Sequence, residues 1–320
     1  VKEANSFVEA FSFGDRTRSF LKVQDGCDYN CSFCTIPQAR GNSRSDDLNK
    51  VVSNANYLAD SGIKEVVLTG VNLGDFGNGT EVIEGKRPRK EALFIDLIRA
   101  LDRSVDIPRF RISSIEPNLC TEEIVAFVAD SQRFMPHFHM PLQSGHDKQL
   151  RAMRRRYPRA LYQDRVRLIK EYLPEACIGA DVIVGFPGES ANDFLETKSF
   201  LTDLEVDYMH VFTYSERART PASDMSGKVP MAERRERNRQ LRELSSRKKK
   251  AFYARFSGQS RNVLVEQSKE KGQLSGFTDN YIKVEMQGPD SLINGIFPVE
   301  LIDCERDIMQ ARILEVSGVP

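Results

Sequence analysis

Three cysteines crowd into one short stretch of this 320-residue sequence, Gly26-Cys27-Asp28-Tyr29-Asn30-Cys31-Ser32-Phe33-Cys34. Their spacing is Cys-x3-Cys-x2-Cys, and soft thiolates at such intervals hold zinc or an iron–sulfur cluster. Four-cysteine sites saturate the metal with protein ligands, whereas a local set of three leaves one iron of a 4Fe-4S cube open. An open iron chelates a small molecule, and the amino and carboxylate groups of S-adenosylmethionine suit it. Electron transfer then cleaves the sulfonium bond to a 5′-deoxyadenosyl radical, hard chemistry that belongs to the cofactor while the protein positions and shields it. The competing reading is a structural zinc closed by a distant fourth ligand such as Cys120, Cys177 or a histidine. Zinc sites usually pair two cysteine doublets, and no second doublet follows here.

Composition is that of an ordinary soluble globular chain, 40% hydrophobic and 29% charged. Its 46 basic residues cancel 46 acidic ones, so net charge is silent about nucleic acid and any such partner must be met by local patches. No apolar run approaches the roughly 20 residues that span a bilayer, and no signal peptide is visible. Clustered cysteines without an export signal favour a metal centre over disulfides and a reducing, cytoplasmic location. The chain starts at Val1 rather than Met, which reads as a fragment or a processed form.

Chemistry of this kind needs a scaffold. Apolar runs predict strands at 20–24, 65–69, 109–113, 137–140, 178–184 and 207–212, separated by helical patterns at 46–60, 92–101, 122–129, 161–172 and 192–204. Six strand-then-helix units imply a parallel sheet with helices outside. No Gly-x-Gly-x-x-Gly follows the first strand, which argues against a dinucleotide fold. The cysteine loop follows strand one, and Thr69-Gly70-Val71-Asn72, Ser114-Ile115-Glu116-Pro117, Pro141-Leu142-Gln143-Ser144-Gly145 and Gly185-Phe186-Pro187-Gly188-Glu189 follow strands two to five. Polar and glycine-rich residues at every carboxyl end suit a barrel-like gathering around one site, so the α/β fold expected is a partial parallel (β/α)6 barrel.

Residues 231–256 form a basic helix with Arg234, Arg235, Arg237, Arg239, Arg242 and Arg247-Lys248-Lys249-Lys250, read by itself as a solvated linker. The tail alternates apolar and polar residues at 262–266, 281–286, 297–301 and 311–316, with turns at Lys271-Gly272, Asp279-Asn280 and Gly288-Pro289. That pattern predicts a small antiparallel β-barrel of the size of many RNA-binding modules. The division expected is a connecting segment 1–17, a catalytic barrel 18–230, a linker helix 231–256 and the small barrel 257–318.

The cysteine stretch resembles the radical S-adenosylmethionine superfamily, with Phe33 at its aromatic position before the third cysteine. The longer run from Lys22 through Pro37, then Arg40-Gly41 and Arg44-Ser45, resembles its methylthiotransferases that modify tRNA or a ribosomal protein. Ser113-Ser114-Ile115-Glu116-Pro117, Arg154-Arg155-Arg156-Tyr157 and Asp181-Val182-Ile183-Val184-Gly185 carry the same resemblance, and the tail is similar to the family's TRAM domain. Leu68-Thr69-Gly70-Val71-Asn72-Leu73-Gly74 and Val211-Phe212-Thr213-Tyr214-Ser215 look most like the type that adds a methylthio group to C2 of N6-threonylcarbamoyladenosine beside the tRNA anticodon. The alternatives are a type acting on isopentenyl-adenosine tRNA or a ribosomal-protein aspartate, and a non-catalytic zinc-stabilised RNA-binding module.

The resemblance implies a 4Fe-4S cluster on Cys27, Cys31 and Cys34, S-adenosylmethionine, a reducing electron donor and the tRNA anticodon loop as partners, with no membrane and no DNA. It also implies a second 4Fe-4S cluster in an N-terminal domain, yet nothing before Cys27 is a cysteine, so that domain is expected to be missing. Phe33, Gly70, Asn72, Ser114, Glu116, Gln143 and Gly185 are the residues expected at the cofactor. Gly70 and Gly185 are read as allowing close backbone approach, and Glu116 as accepting from the ribose or amino group. Arg154, Arg155, Arg156, Arg217 and Arg219 are expected to meet tRNA phosphates or a substrate carboxylate, for which a guanidinium fork is well matched, and Asp25 to meet substrate or orient arginines. His137 and His139 are read as structural histidines facing opposite sides of a strand. Cys120, Cys177 and Cys304 are read as ordinary thiols.

Overall fold

The computed structural model describes residues 7–12, 17–267 and 272–314. Parts of the expected 1–17 segment, of the turn at Lys271 and of the tail beyond residue 314 lie outside them.

The chain enters β1 (Arg18–Lys22), then a short antiparallel pair, β2 (Gln24–Asp25) and β3 (Arg44–Ser45), that brackets the cysteine loop and α1 (Ile36–Arg40). Next come α2 (Leu48–Asp60), β4 (Glu65–Thr69), α3 (Gly79–Ile83), α4 (Phe94–Ser104), β5 (Arg109–Ile112) and α5 (Glu122–Asp130). β6 (His137–Gln143), α6 (Asp147–Ala152), α7 (Arg159–Tyr172), β7 (Cys177–Val184), α8 (Ala191–Asp203) and β8 (Tyr208–Thr213) complete the unit. β1, β4 and β5 pair in parallel, as do β6, β7 and β8. Isolated parallel bridges from Phe110 to Phe134 and from Ser114 to His139 join the two sheets into one six-stranded wall. This is the expected partial barrel.

Strands such as β4 and β5 are buried along nearly their whole length, as parallel strands covered by helices must be. The helices start where side chains satisfy free amides. Asp47 accepts from the N–H groups of Asn49 and Lys50, and Ser190 with Asp193 forms a capping box. In α4, Phe94, Leu97, Ile98 and Leu101 make one apolar stripe against the sheet, each full burial contributing about 1.5–3 kcal/mol.

α9 (Met231–Ala254) is more than the solvated linker expected of it. It lies on β8, burying Leu241 and Leu244, and two of its arginines are interior. Arg234 donates to the carbonyls of Val229 and Tyr214, each at 2.8 Å, and to Glu216 at 2.7 Å; Arg237 donates to Glu189 at 2.5 Å. Only part of the basic composition therefore faces solvent, with Arg235, Arg239, Arg242 and Arg247 among the exposed residues.

The tail closes as a barrel of β9 (Ser260–Gln267), β10 (Gln273–Thr278), β11 (Lys283–Gln287), β12 (Ile296–Glu305) and β13 (Ile308–Ile313). Four neighbour pairs are antiparallel, but β11 and β13 run parallel, which corrects the purely antiparallel expectation. The barrel sits at the amino ends of the parallel strands. Arg109 donates to the carbonyls of Asn262 (2.7 Å) and Phe277 (3.1 Å), and Arg111 to those of Thr278 (2.7 Å) and Asp279 (2.8 Å). A ring ladder accompanies these bonds, His137 stacking on Tyr281 at 3.9 Å and Tyr281 on Phe277 at 4.8 Å.

Candidate cluster and cofactor site

Cys27, Cys31 and Cys34 sit at the carboxyl end of the parallel wall, on one cavity of about 420 Å³. The loop that carries them is held by its neighbours. Cys27 N–H donates to the Gly41 carbonyl at 3.1 Å, and Ser32 donates through its N–H to Met153 (3.1 Å) and through its hydroxyl to Ala152 (2.8 Å). Gln24, fully buried, donates to the carbonyls of Asp25 and Gly26 and accepts from the N–H groups of Val71 and Asn72 at 2.9 and 2.8 Å. One amide thus fixes the cysteine loop against the loop after β4.

Gly26 is the hinge of this arrangement. Its φ is +72°, and a Cβ there would lie 2.0 Å from the Asn42 carbonyl oxygen. Gly26→Ala carries about 1–2 kcal/mol of left-handed strain before any clash is relieved. The expected outcome is a lower melting temperature together with reduced iron per chain, checked by calorimetry and elemental analysis.

All three thiols are free of disulfides, and their sulfurs already receive hydrogen bonds. Tyr29 N–H donates to Cys27 and Ile36 N–H to Cys34, both at 3.4 Å, and the Arg155 guanidinium donates to Cys31 at 3.1 Å. Burial pushes the Cys27 thiol up to about 12, with the Tyr29 amide opposing and the negative charges of Cys31, Glu116 and Cys34 adding to it. Burial also raises Cys31, against the pull of Arg155. Such thiols are ionised by a metal that supplies the missing positive charge. Opposite them, the Asn72 amide is buried with neither its oxygen nor its nitrogen hydrogen-bonded among the described residues, as expected of a group that awaits a ligand. These residues fit a three-cysteine cluster with a small polar molecule beside it.

Phe33, Gly70, Ser114, Glu116 and Gln143 line the same cavity. Phe33 is held edge-on against Phe186. Gln143 has φ +69° at an irregularity in β6, a costly conformation for a residue with a side chain. Glu116 is paired with Arg155, whose side chain is only 4% exposed. Arg155 is therefore a wall of the cavity rather than a surface contact for phosphate.

Of the residues expected at the cofactor, Gly185 stands outside the cavity lining. Gly185 gives room to protein rather than ligand, since a Cβ there would lie 2.3 Å from Cγ of Arg234. The room at Gly70 likewise accommodates Gln24, whose Oε1 would lie 2.9 Å from a Cβ. Asp25 braces the loop. Burial opposes its charge, but the Gly26 amide with Lys22, Arg44 and Arg40 holds the carboxyl below its usual range.

The remaining arginines are spread around the mouth. Arg154 is exposed with φ +57°, and Arg156 pairs with Glu84 at 2.8 Å over the Tyr29 ring. Arg217 and Arg219 are exposed on the loop after β8, which docks on the cysteine region through Ala222 N–H to the Ser32 carbonyl and Gln38 to the Arg219 carbonyl. The histidine expectation needs correcting: residues two apart on a strand share a face, and both His137 and His139 reach the Tyr208 hydroxyl, at 2.9 and 3.2 Å. His139 also meets Asp181, which lines the cavity and in turn meets His210. Nothing local in the sequence marks this trio, because its members come from three different strands.

The profile of the radical SAM superfamily matches residues 21–201. Threonylcarbamoyladenosine tRNA methylthiotransferase MtaB of Bacillus subtilis is 37% identical over 91% of this chain and 64% of its own length. MtaB of Aquifex aeolicus is 39% identical over 90% of this chain and 66% of its length. The chain belongs to the radical SAM tRNA methylthiotransferase family. It spans about two thirds of the length of these curated relatives. Another relative of this methylthiotransferase-family chain is the tRNA-2-methylthio-N(6)-dimethylallyladenosine synthase of Symbiobacterium thermophilum, 33% identical over 93% of this chain and 63% of that protein. Among solved structures, the radical S-adenosylmethionine methyltransferase TsrM of Kitasatospora setae, with cobalamin and a [4Fe-4S] cluster bound, matches with a TM-score of 0.51. At 18% identity over 64% of this chain and 38% of that one, the match shows the shared fold. Among the described residues no helix is long and apolar enough to cross a membrane.

Proposed function

We propose that this chain is the S-adenosylmethionine-cleaving and RNA-holding part of an enzyme that adds a methylthio group to C2 of N6-threonylcarbamoyladenosine in the tRNA anticodon loop. The observation that carries the reading is the match to MtaB proteins along nine tenths of the chain, taken together with three cysteines on one cavity wall. Cys27, Cys31 and Cys34 hold a 4Fe-4S cluster, which with S-adenosylmethionine supplies reductive cleavage of the sulfonium bond when an electron donor is present. Asn72 offers an amide, and Glu116 a carboxylate oriented by Arg155, to the polar groups of S-adenosylmethionine. Phe33 and its partner Phe186 keep that side of the cavity dry. The target base leaves its stack to enter, at little cost in a single-stranded loop.

Nucleoside analysis of tRNA from cells lacking the gene tests the substrate. Loss of the 2-methylthio derivative of threonylcarbamoyladenosine supports it, and loss of the isopentenyl-adenosine derivative instead overturns it. The three cysteines outside the cavity, Cys120, Cys177 and Cys304, are scattered, so this chain offers no second three-cysteine set for a sulfur-donating cluster. Purified chain is expected to release 5′-deoxyadenosine with tRNA left unmethylthiolated; methylthiolated product would show that one cluster suffices.

The TRAM-like barrel and the exposed arginines of α9 grip the RNA backbone in this reading. Neutralising three phosphates makes affinity fall by about twenty- to forty-fold between roughly 50 and 200 mM salt. A titration with tRNA that shows no salt dependence counts against the assignment.

A further inference from the structure

We propose that His139, Asp181 and His210 bind a divalent transition-metal ion of the zinc type, at a site separate from the three cysteines. The trio comes from consecutive strands: Asp181 of β7 is the register partner of His210 on β8, and His139 lies beside it on β6. One carboxylate oxygen stands between the rings. Asp181 Oδ1 is 3.0 Å from His139 Nε2 and 3.3 Å from His210 Nδ1, and all three ligand atoms lie within 4.8 Å of one another. An ion about 2.0–2.2 Å from each ligand separates neighbouring ligand atoms by about 3–3.5 Å. Two of the three separations already have that value. The third closes by rotation of the His210 ring, which is 57% exposed and lies 5.1 Å from the His139 ring.

The surroundings favour the tautomer a metal requires. An ion on His139 Nε2 needs the ring proton on Nδ1, and that atom faces the Tyr208 hydroxyl at 3.2 Å. The hydroxyl then donates a hydrogen bond to His137 Nε2 at 2.9 Å, and His137 is fixed by its stack on Tyr281. A metal-binding histidine oriented by a hydrogen bond through its other nitrogen is the usual outer-shell arrangement. Two imidazoles and one carboxylate suit zinc or iron(II) better than calcium or magnesium.

Access is open from both sides. Asp181 lines the cysteine cavity, while His210 lines a second cavity of about 340 Å³ between β8, α9 and the terminal barrel. The remaining coordination positions are filled by water or by an oxygen of the molecule in either cavity. The assignment rests on strand geometry and is independent of which nucleoside is modified.

Elemental analysis of anaerobically reconstituted full chain, incubated with zinc sulfate and desalted, tests it. The expected result is one zinc per chain in addition to about four irons. His210→Gln, at an exposed position, is expected to lose the zinc and keep the iron and the melting temperature; His139→Gln is expected to lose it too. Cobalt(II) added to a Cys27→Ser, Cys31→Ser, Cys34→Ser variant is expected to give d–d absorption without a thiolate charge-transfer band. Zinc that survives both histidine substitutions, zinc that disappears with the cysteines, or no metal beyond about four irons would overturn the proposal. The trio is then a hydrogen-bonded group in which Asp181 accepts from both rings.

Discussion

Cys31→Ser is expected to leave anaerobically reconstituted protein colourless and to reduce S-adenosylmethionine cleavage to background. A cluster held by three thiolates has no spare protein ligand, and a serine hydroxyl is a harder donor that stays protonated at neutral pH. The same change removes the acceptor of the Arg155 N–H bond, leaving a buried guanidinium turned toward a shorter side chain. Arg155→Met is the informative comparison. It preserves the thiols and removes the side-chain donor to Cys31 together with the partner of Glu116 and Tyr157, so the loss should be nearer the ~10–100-fold of an outer-shell change. Wild-type protein that is colourless with one zinc, instead of brown with about four irons, would favour the RNA-binding zinc module and sink the cluster assignment.

The second large effect is on stability. Glu65 is fully buried beneath the parallel wall; its Oε1 accepts from Arg111 at 2.9 Å, and Arg109 and Arg18 stand 3.9 Å away. Burial already pulls the Arg109 guanidinium down to about 10, while Glu65 counters that pull. In Glu65→Ala two nearly inaccessible arginines lose their counter-charge. Breaking a buried pair in this way costs about 3–5 kcal/mol, more than an exposed pair by several-fold. The denaturant midpoint should fall accordingly. Arg109 and Arg111 also hold the terminal barrel, so its signal should separate from that of the main domain. An unfolding free energy lowered by less than about 1 kcal/mol would mean the cluster of charges is solvated more than its burial indicates.

What the sequence made legible follows from how local each signal is. β4 is found at its sequence boundaries because an unbroken apolar run between polar loops has one reading in a parallel sheet. The cysteine loop is legible because its three ligands are contiguous. β10 escapes detection because Gly276 occupies an inward position where a larger residue would shout core; a Cβ there would lie 2.3 Å from the Leu264 carbonyl. Gln24 is equally hidden, and Arg155 is found but read as an RNA or substrate contact, since a buried arginine or glutamine looks like any other until the thiol or amide it serves is in place. Gly185 misled for a related reason. A strand-end glycine signals close approach, but the approaching group, Arg234, comes from a helix far along the chain.

The mounting of the terminal barrel has an evolutionary consequence. Arg109 and Arg111 grasp carbonyl oxygens of residues 262, 277, 278 and 279, so the grip reads backbone path and not side-chain identity. The barrel's outward-facing residues are free to drift, and with them whatever they recognise, while the joint that sets its distance from the cysteines stays unchanged.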